Sequence, residues 1–241
     1  MNLHALWHDL ECGAYAEDLP LWRALAADAG GPVLDVGAGT GRVTLDLASR
    51  GADVIALDVH AALLTALEHR AAGLSVETVV ADARTFSLSR PCSLILVPMQ
   101  TLQLLGGTHG RAAFLRRALI HLTPGGLVAA AVADAMDCFD EQHALAPPAD
   151  VCAIGGVTYS TRLLTVSERD GRAALHRRRE IIGPRDRREV RQVVVELDRV
   201  SADAIAGEAV RLGFEVEPHR YIPETEQYLG STVVVLRVPR G

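Results

Sequence analysis

The stretch "VLDVGAGTGR", Val33 to Arg42, constrains this chain most tightly. An apolar run that reads as a strand ends in glycine at positions 37, 39 and 41 and passes directly into an amphipathic pattern. Such a strand-to-helix turn gathers backbone N–H groups and the positive end of a helix dipole at one point, which makes it an anion site. Glycine is needed because a side chain would block a ligand's approach or demand an unfavourable backbone angle.

The rest of the first half keeps the same alternation. Candidate strands are 32–36, 53–59, 75–80, 93–98 and 126–134, and helical patterns fill 41–51, 60–73 and 110–126, which predicts parallel βαβ units. After Asp134 the character changes. Residues 137–156 contain Pro147-Pro148 and little periodicity and read as a loop or lid. Asp170-Gly171 between two β-rich runs marks a hairpin, "GPRDRR" (183–188) a second turn, and 189–197 a third antiparallel strand. Ser201 is placed to cap a helix over 202–212 that Gly213 ends, and 214–222 and 231–238 read as two last strands.

Composition removes several chemistries. All 24 basic residues are arginine, so neither a Schiff-base lysine nor a P-loop lysine is available. The cysteines at 12, 92, 138 and 152 form no C-x-x-C pair or Cys/His cluster, so no metal is expected. No apolar run has the length of a membrane span, and the N-terminus carries acids where a signal peptide would be basic; a cytoplasmic location is expected.

The spacing of the loop decides between cofactors. A dinucleotide loop would place its third glycine at 42, where this chain has Arg; the observed D-x-G-x-G-x-G starts at Asp35. Asp58 ends the second strand in "ALDV", Asp82 follows the third in "VVADAR", and "LTPGG" (122–126) precedes the fifth. These four features, over residues 31–134, resemble the class I S-adenosylmethionine-dependent methyltransferases.

The resemblance implies a doubly wound α/β fold: seven mostly parallel strands, helices on both faces, and a small antiparallel insertion between the fifth and sixth strands. It divides the single domain 1–241 into an N-terminal cap (1–30), a cofactor-binding core (31–136 and 200–241) and an insertion over the acceptor pocket (150–199). It assigns the donor's methionine part to Gly37, Ala38, Gly39 and Gly41, with Asp35 orienting the loop or meeting the ammonium. Asp58, with Val59 beside it, would hold the ribose, and Asp82 with Ala83 the adenine. Pro98 and Met99 would lie beside the sulfonium. Ser93 stands where the family often has Asp.

The acceptor half is less explicit. After the fourth strand "VPMQTLQLL" lacks the [DNS]-P-P-[YFW] pattern of enzymes that methylate nucleic-acid bases. The arginines of 177–191 are interrupted by acids and lack aromatics, so a solvated face is favoured over a nucleic-acid surface. The resemblance narrows to small-molecule enzymes of bacterial specialised metabolism, with no nucleic acid or membrane partner and a monomer or homodimer expected. On that reading Tyr15 would cover the sulfonium, Trp22 would be core, and Gln100, Gln103 and Tyr228 would line the acceptor pocket. His143 or Asp134 is the expected base, with His219 and Tyr221 as weaker candidates. Two other readings stay open: an NAD-dependent oxidoreductase on the same sheet, and a non-catalytic S-adenosylmethionine-binding protein.

Overall fold

The computed structural model describes residues 2–133, 139–140, 147–225 and 228–240. Helices α1 (Leu3–Cys12) and α2 (Leu19–Ala29) precede an alternating series: β1 (Val33–Val36), α3 (Arg42–Ala48), β2 (Val54–Asp58), α4 (Ala61–Arg70), β3 (Val76–Val80), β4 (Cys92–Val97), α5 (Gly107–His121) and β5 (Leu122–Val132). Then come five strands, β6 (Phe139–Asp140), β7 (Asp150–Ile154), β8 (Val157–Arg169), β9 (Arg172–Ile182) and β10 (Arg188–Asp198), and the chain closes with α6 (Ala202–Val210), β11 (Glu215–Ile222) and β12 (Ser231–Arg237).

The main sheet has the order β11-β12-β5-β4-β1-β2-β3. β1 to β5 pair in parallel, and β12 is antiparallel to both its neighbours. The doubly wound sheet of seven strands is thus present. Its two faces follow from the period of two along each strand. Leu34, Val36, Ile55, Ile95 and Val234 pack on Phe114 of α5 and Ile205 of α6, while Val33, Val54, Leu94 and Val235 pack on Trp22 of α2 and Leu47 of α3. The strand order reverses between β1 and β4, and a crevice opens at that switch point beyond the strand C-termini.

β8, β9 and β10 form the expected antiparallel unit, and β8 joins β9 at Asp170-Gly171, whose φ angles of 52° and 72° make the tight two-residue turn. Residues 137–156 are not simply a loop. Asp150–Ile154 pairs with β8 through Gly155-Gly156, both at positive φ, and β6 pairs with Val166 and Thr165 of the same strand. The Gly-Gly pair was the hairpin signal, but the strand before it is too short to show a period. "LTPGG" is likewise not a turn ahead of β5 but an irregularity within it: Leu122 pairs with Cys92, and regular pairing resumes at Leu127 opposite Leu94. In β11, Pro218 lacks an N–H and sits where the register shifts between Glu217 and Arg220, at the sheet edge that tolerates it.

Among the described residues no helix is long and apolar enough to cross a membrane.

Candidate active site

The ends of β1, β2 and β4, together with α1, enclose a cavity of about 590 Å³. The glycine loop forms its floor. Gly37 and Ala38 donate their N–H groups to the Leu57 carbonyl at 2.8 and 3.0 Å, which pins the loop to the end of β2. Gly39 donates to Asp58 Oδ2 at 2.9 Å, and His60 donates to Asp58 Oδ1 at 2.8 Å, so one buried carboxylate ties both loops together. Gly39 has φ 57°, and a Cβ there would strike the ring of His8.

Asp35 is almost completely buried and lines the cavity. Its Oδ2 accepts from the Thr44 hydroxyl at 2.6 Å, while Oδ1 has no hydrogen-bond partner. Burial pushes its carboxyl up to about 6. A buried carboxylate oxygen left unsatisfied beside a cavity is costly unless a cation meets it.

Asp58, Val59, Asp82, Ala83, Pro98, Met99 and Gln100 line the same chamber, whereas Gly39 and Gly41 do not. The Arg84 guanidinium, 2.6 Å from Asp82 Oδ2, holds the Asp82 carboxyl below its ordinary range, so it stays ionised. Met99 has φ 56°, a left-handed angle a non-glycine residue seldom adopts, and it turns the chain out of β4 at the cavity wall.

Other expected residues fall elsewhere. Gln103 is fully buried and faces away from the cavity. Its amide donates to the carbonyls of Ala133 and Asp198 at 3.1 and 2.9 Å and accepts from the Ala133 N–H at 3.0 Å, so both its N–H donors are spent on backbone groups. Tyr15 is buried outside the lining: its ring packs on Tyr228 at 4.7 Å, and the cation over its face is Arg42, at 5.1 Å. Burial, with Asp18 nearby, pushes its hydroxyl up to about 12. Tyr228 shares that packing and also lies outside the lining. Tyr221 is exposed on β11, and His219 approaches Asp203 at 3.4 Å. Asp134 and His143 lie outside the described residues.

Helix α1 supplies what the sequence reading missed. His4, His8, Glu11 and Cys12 recur at helical spacing and line the cavity from one face. The helix is held on both sides. His8 Nδ1 lies 3.1 Å from the Thr40 hydroxyl, and Asp9 accepts from Thr40 and from both terminal nitrogens of Arg70. Glu11 accepts two bonds from Arg179, at 2.7 and 2.8 Å, and one from Thr161. Trp7 lies beneath the Arg179 guanidinium at 5.4 Å. Burial lowers the pKa of His8, so its ring stays neutral at pH 7. Leu175, Arg177, Val195 and Leu197 of the second sheet complete the far wall.

A family profile described as "Methyltransferase domain" matches residues 33–126. Over these residues the chain carries a methyltransferase domain. The cypemycin N-terminal methyltransferase of Streptomyces sp is 32% identical over 151 residues, 60% of this chain. That match spans 56% of the relative, little more than half its length. Among solved structures, S-adenosylmethionine-bound CalS10, an amino pentose methyltransferase from Micromonospora echinaspora, is similar with a TM-score of 0.72 at 18% identity, over 99% of this chain and 97% of that one. The sugar N-methyltransferase KedS8 from Streptoalloteichus sp is similar with a TM-score of 0.76 at 17% identity, over 100% and 94%. The nicotinamide alternative receives no support from these likenesses.

The residues of this methyltransferase domain fit its donor. The unpartnered Asp35 Oδ1 suits the ammonium of a methionine moiety, and the lining carboxylates Asp58 and Asp82 suit hydroxyl and amine donors.

The Asp35 carboxyl is raised from an ordinary value of about 3.9 to about 6. Its contribution to stability is therefore present below about pH 4 and lost as the pH rises through about 6. Asp35→Asn is expected to stabilise the donor-free protein at pH 8 by about 1–3 kcal/mol, while weakening S-adenosylhomocysteine binding about tenfold or more. Scanning calorimetry from pH 4 to 8, with and without the ligand, checks both effects. A lower melting temperature for the variant at pH 8 would contradict the buried-charge account.

Proposed function

We propose that this chain transfers a methyl group from S-adenosylmethionine to a nitrogen of a small amine. The observation that carries the reading is one chamber with two kinds of wall: carboxylates Asp35, Asp58 and Asp82 on the core side, and the apolar Leu175, Val195 and Leu197 of the second sheet opposite. Similarity to a sugar N-methyltransferase and to an N-terminal methyltransferase supports nitrogen over oxygen or carbon. A cytoplasmic location and a small-molecule acceptor belong to the same reading.

S-adenosylmethionine, when bound, supplies a methyl group already activated by a sulfonium. What remains for the protein is alignment and exclusion of water, which can supply about 7–11 kcal/mol of such a barrier. The cavity-facing residues of α1 and the second sheet cover the chamber, and Pro98, Met99 and Gln100 set its wall at the end of β4. A neutral amine attacks with its own lone pair and releases its proton after the N–C bond has formed. No base is required before the transfer. Tyr15, with its hydroxyl pushed up to about 12, stays protonated and is assigned to packing.

The test is a radiolabelled methyl-transfer screen over amino sugars, amines and amino-terminal peptides, with phenols and carboxylic acids as the contrast. Labelled N-methyl product is expected. Product from phenols alone would overturn the nitrogen assignment, and tight S-adenosylhomocysteine binding with no transfer to any class would favour a non-catalytic binding protein.

A further inference from the structure

Among the described residues, one arginine lining the cavity has no hydrogen bond or ion pair, and it lies on the second sheet. Leu175, Arg177 and Arg179 alternate along β9 and share its inner face, with Leu163 and Val193 in register on either side of Arg177. The other arginines around the chamber are committed: Arg42 donates to both oxygens of Asp18, Arg70 to Asp9, Arg84 to Asp82 and Arg179 to Glu11. Arg177 lines the cavity, is half-buried, and makes no ion pair or hydrogen bond among the described residues. Two carboxylates lie on this side of the sheet. Glu11 is engaged by Arg179 and Thr161, and Asp150 feels the Arg177 charge without coming within ion-pair distance of it.

A guanidinium half-buried among leucine and valine loses hydration, and the distant Asp150 carboxyl returns less than a hydrogen-bonded anion on a ligand would. Its planar fork suits the two oxygens of a carboxylate or a phosphate, and the apolar neighbours strengthen such a bond by excluding water.

We propose that Arg177 recognises an anionic group on the methyl acceptor, so that the substrate is an amine that also carries a carboxylate or a phosphate. This inference rests on the functional reading above, because it takes the far wall of the chamber to be the acceptor's side. It makes Arg177 a specificity residue that touches the substrate away from the reacting nitrogen.

The test uses the full chain saturated with S-adenosylhomocysteine and titrated by calorimetry with benzoate, phenyl phosphate and neutral benzamide. At least one anion is expected to bind tenfold or more tightly than benzamide, and which one shows whether a carboxylate or a phosphate is the natural group. Arg177→Gln should reduce that preference to under twofold with S-adenosylhomocysteine affinity kept, which also shows that the variant folds; Arg177→Lys should retain part of it. Equal binding of anions and benzamide would overturn the anion site alone. So would competition of the anions with S-adenosylhomocysteine, or a loss of its affinity in Arg177→Gln, since Arg177 would then serve the donor's carboxylate. Failure of S-adenosylhomocysteine to bind the unaltered chain would remove the functional reading and this inference with it.

Discussion

Asp58→Ala is expected to weaken S-adenosylhomocysteine binding by about 100-fold, or about 3 kcal/mol. Each oxygen of this carboxylate already holds one backbone N–H, from Gly39 at 2.9 Å and from His60 at 2.8 Å. Each retains a second lone pair, so the side chain can accept ribose hydroxyls without releasing either loop. Alanine removes those acceptors, and it also leaves two N–H groups unpaired at the rim of the cavity. Hydrogen bonds to a charged group contribute about 1.5–3 kcal/mol each, so the loss of two is enough for the predicted change. Calorimetric titration with S-adenosylhomocysteine measures the total effect. Titration with adenosine separates its parts: Asp58→Ala should lose adenosine affinity as well, whereas Asp35→Asn should spare it, because Asp35 is assigned to the methionine end. Affinity within threefold of the unaltered protein would remove Asp58 from the ribose site.

That the carboxylates lining the cavity were legible in the sequence has a physical reason. Asp35 and Asp58 lie at the ends of parallel strands and Asp82 just beyond one, and each is followed within a few residues by a turn. Local pattern therefore fixes both their position and their exposure to the crevice. Gln103 carries no such signal. Its amide is satisfied by backbone groups of Ala133 and Asp198, which are 30 and 95 residues away, and nothing in "MQTLQLL" announces those partners. Tyr15 failed for the same reason, since Arg42 and Tyr228 reach it only in the folded chain. The lining residues of α1 were accessible in principle: His4, His8 and Cys12 have strict i, i+4 spacing. The inner face of β9 was legible as a period of two, but arginines occupy both faces, and only packing against α1 shows which one looks inward.

The same long-range logic predicts that Arg111→Met will destabilise the protein by about 3–5 kcal/mol. Arg111 is buried in α5 and joins three elements. It donates to both oxygens of Glu208 in α6, at 2.9 and 2.7 Å, and to Asp198 at the end of β10, at 3.2 Å. Asp198 also accepts the Gly107 N–H, so the joint ties the second sheet to the core. Methionine fills similar space but leaves the Glu208 carboxylate buried without its counter-ion. Burial by itself would raise the Glu208 pKa; the hydrogen bonds from Arg111 and Thr108 reverse this and hold it below the ordinary glutamate range. The stability gained from that depression is present above the unfolded pKa of about 4.3 and is lost as the pH falls through the folded value. In Arg111→Met the sign reverses, because an unpaired buried carboxyl prefers its proton. The deficit relative to the unaltered protein should therefore shrink between pH 7 and pH 4. Urea unfolding at several pH values measures it, and a loss under 1 kcal/mol at pH 7 would show that the network contributes little. Arg111→Met combined with Glu208→Leu should recover much of the loss, since a well-packed apolar pair can replace a buried ion pair at little cost. Neither variant touches a residue of the donor cavity, so S-adenosylhomocysteine affinity should hold in both while the fold persists.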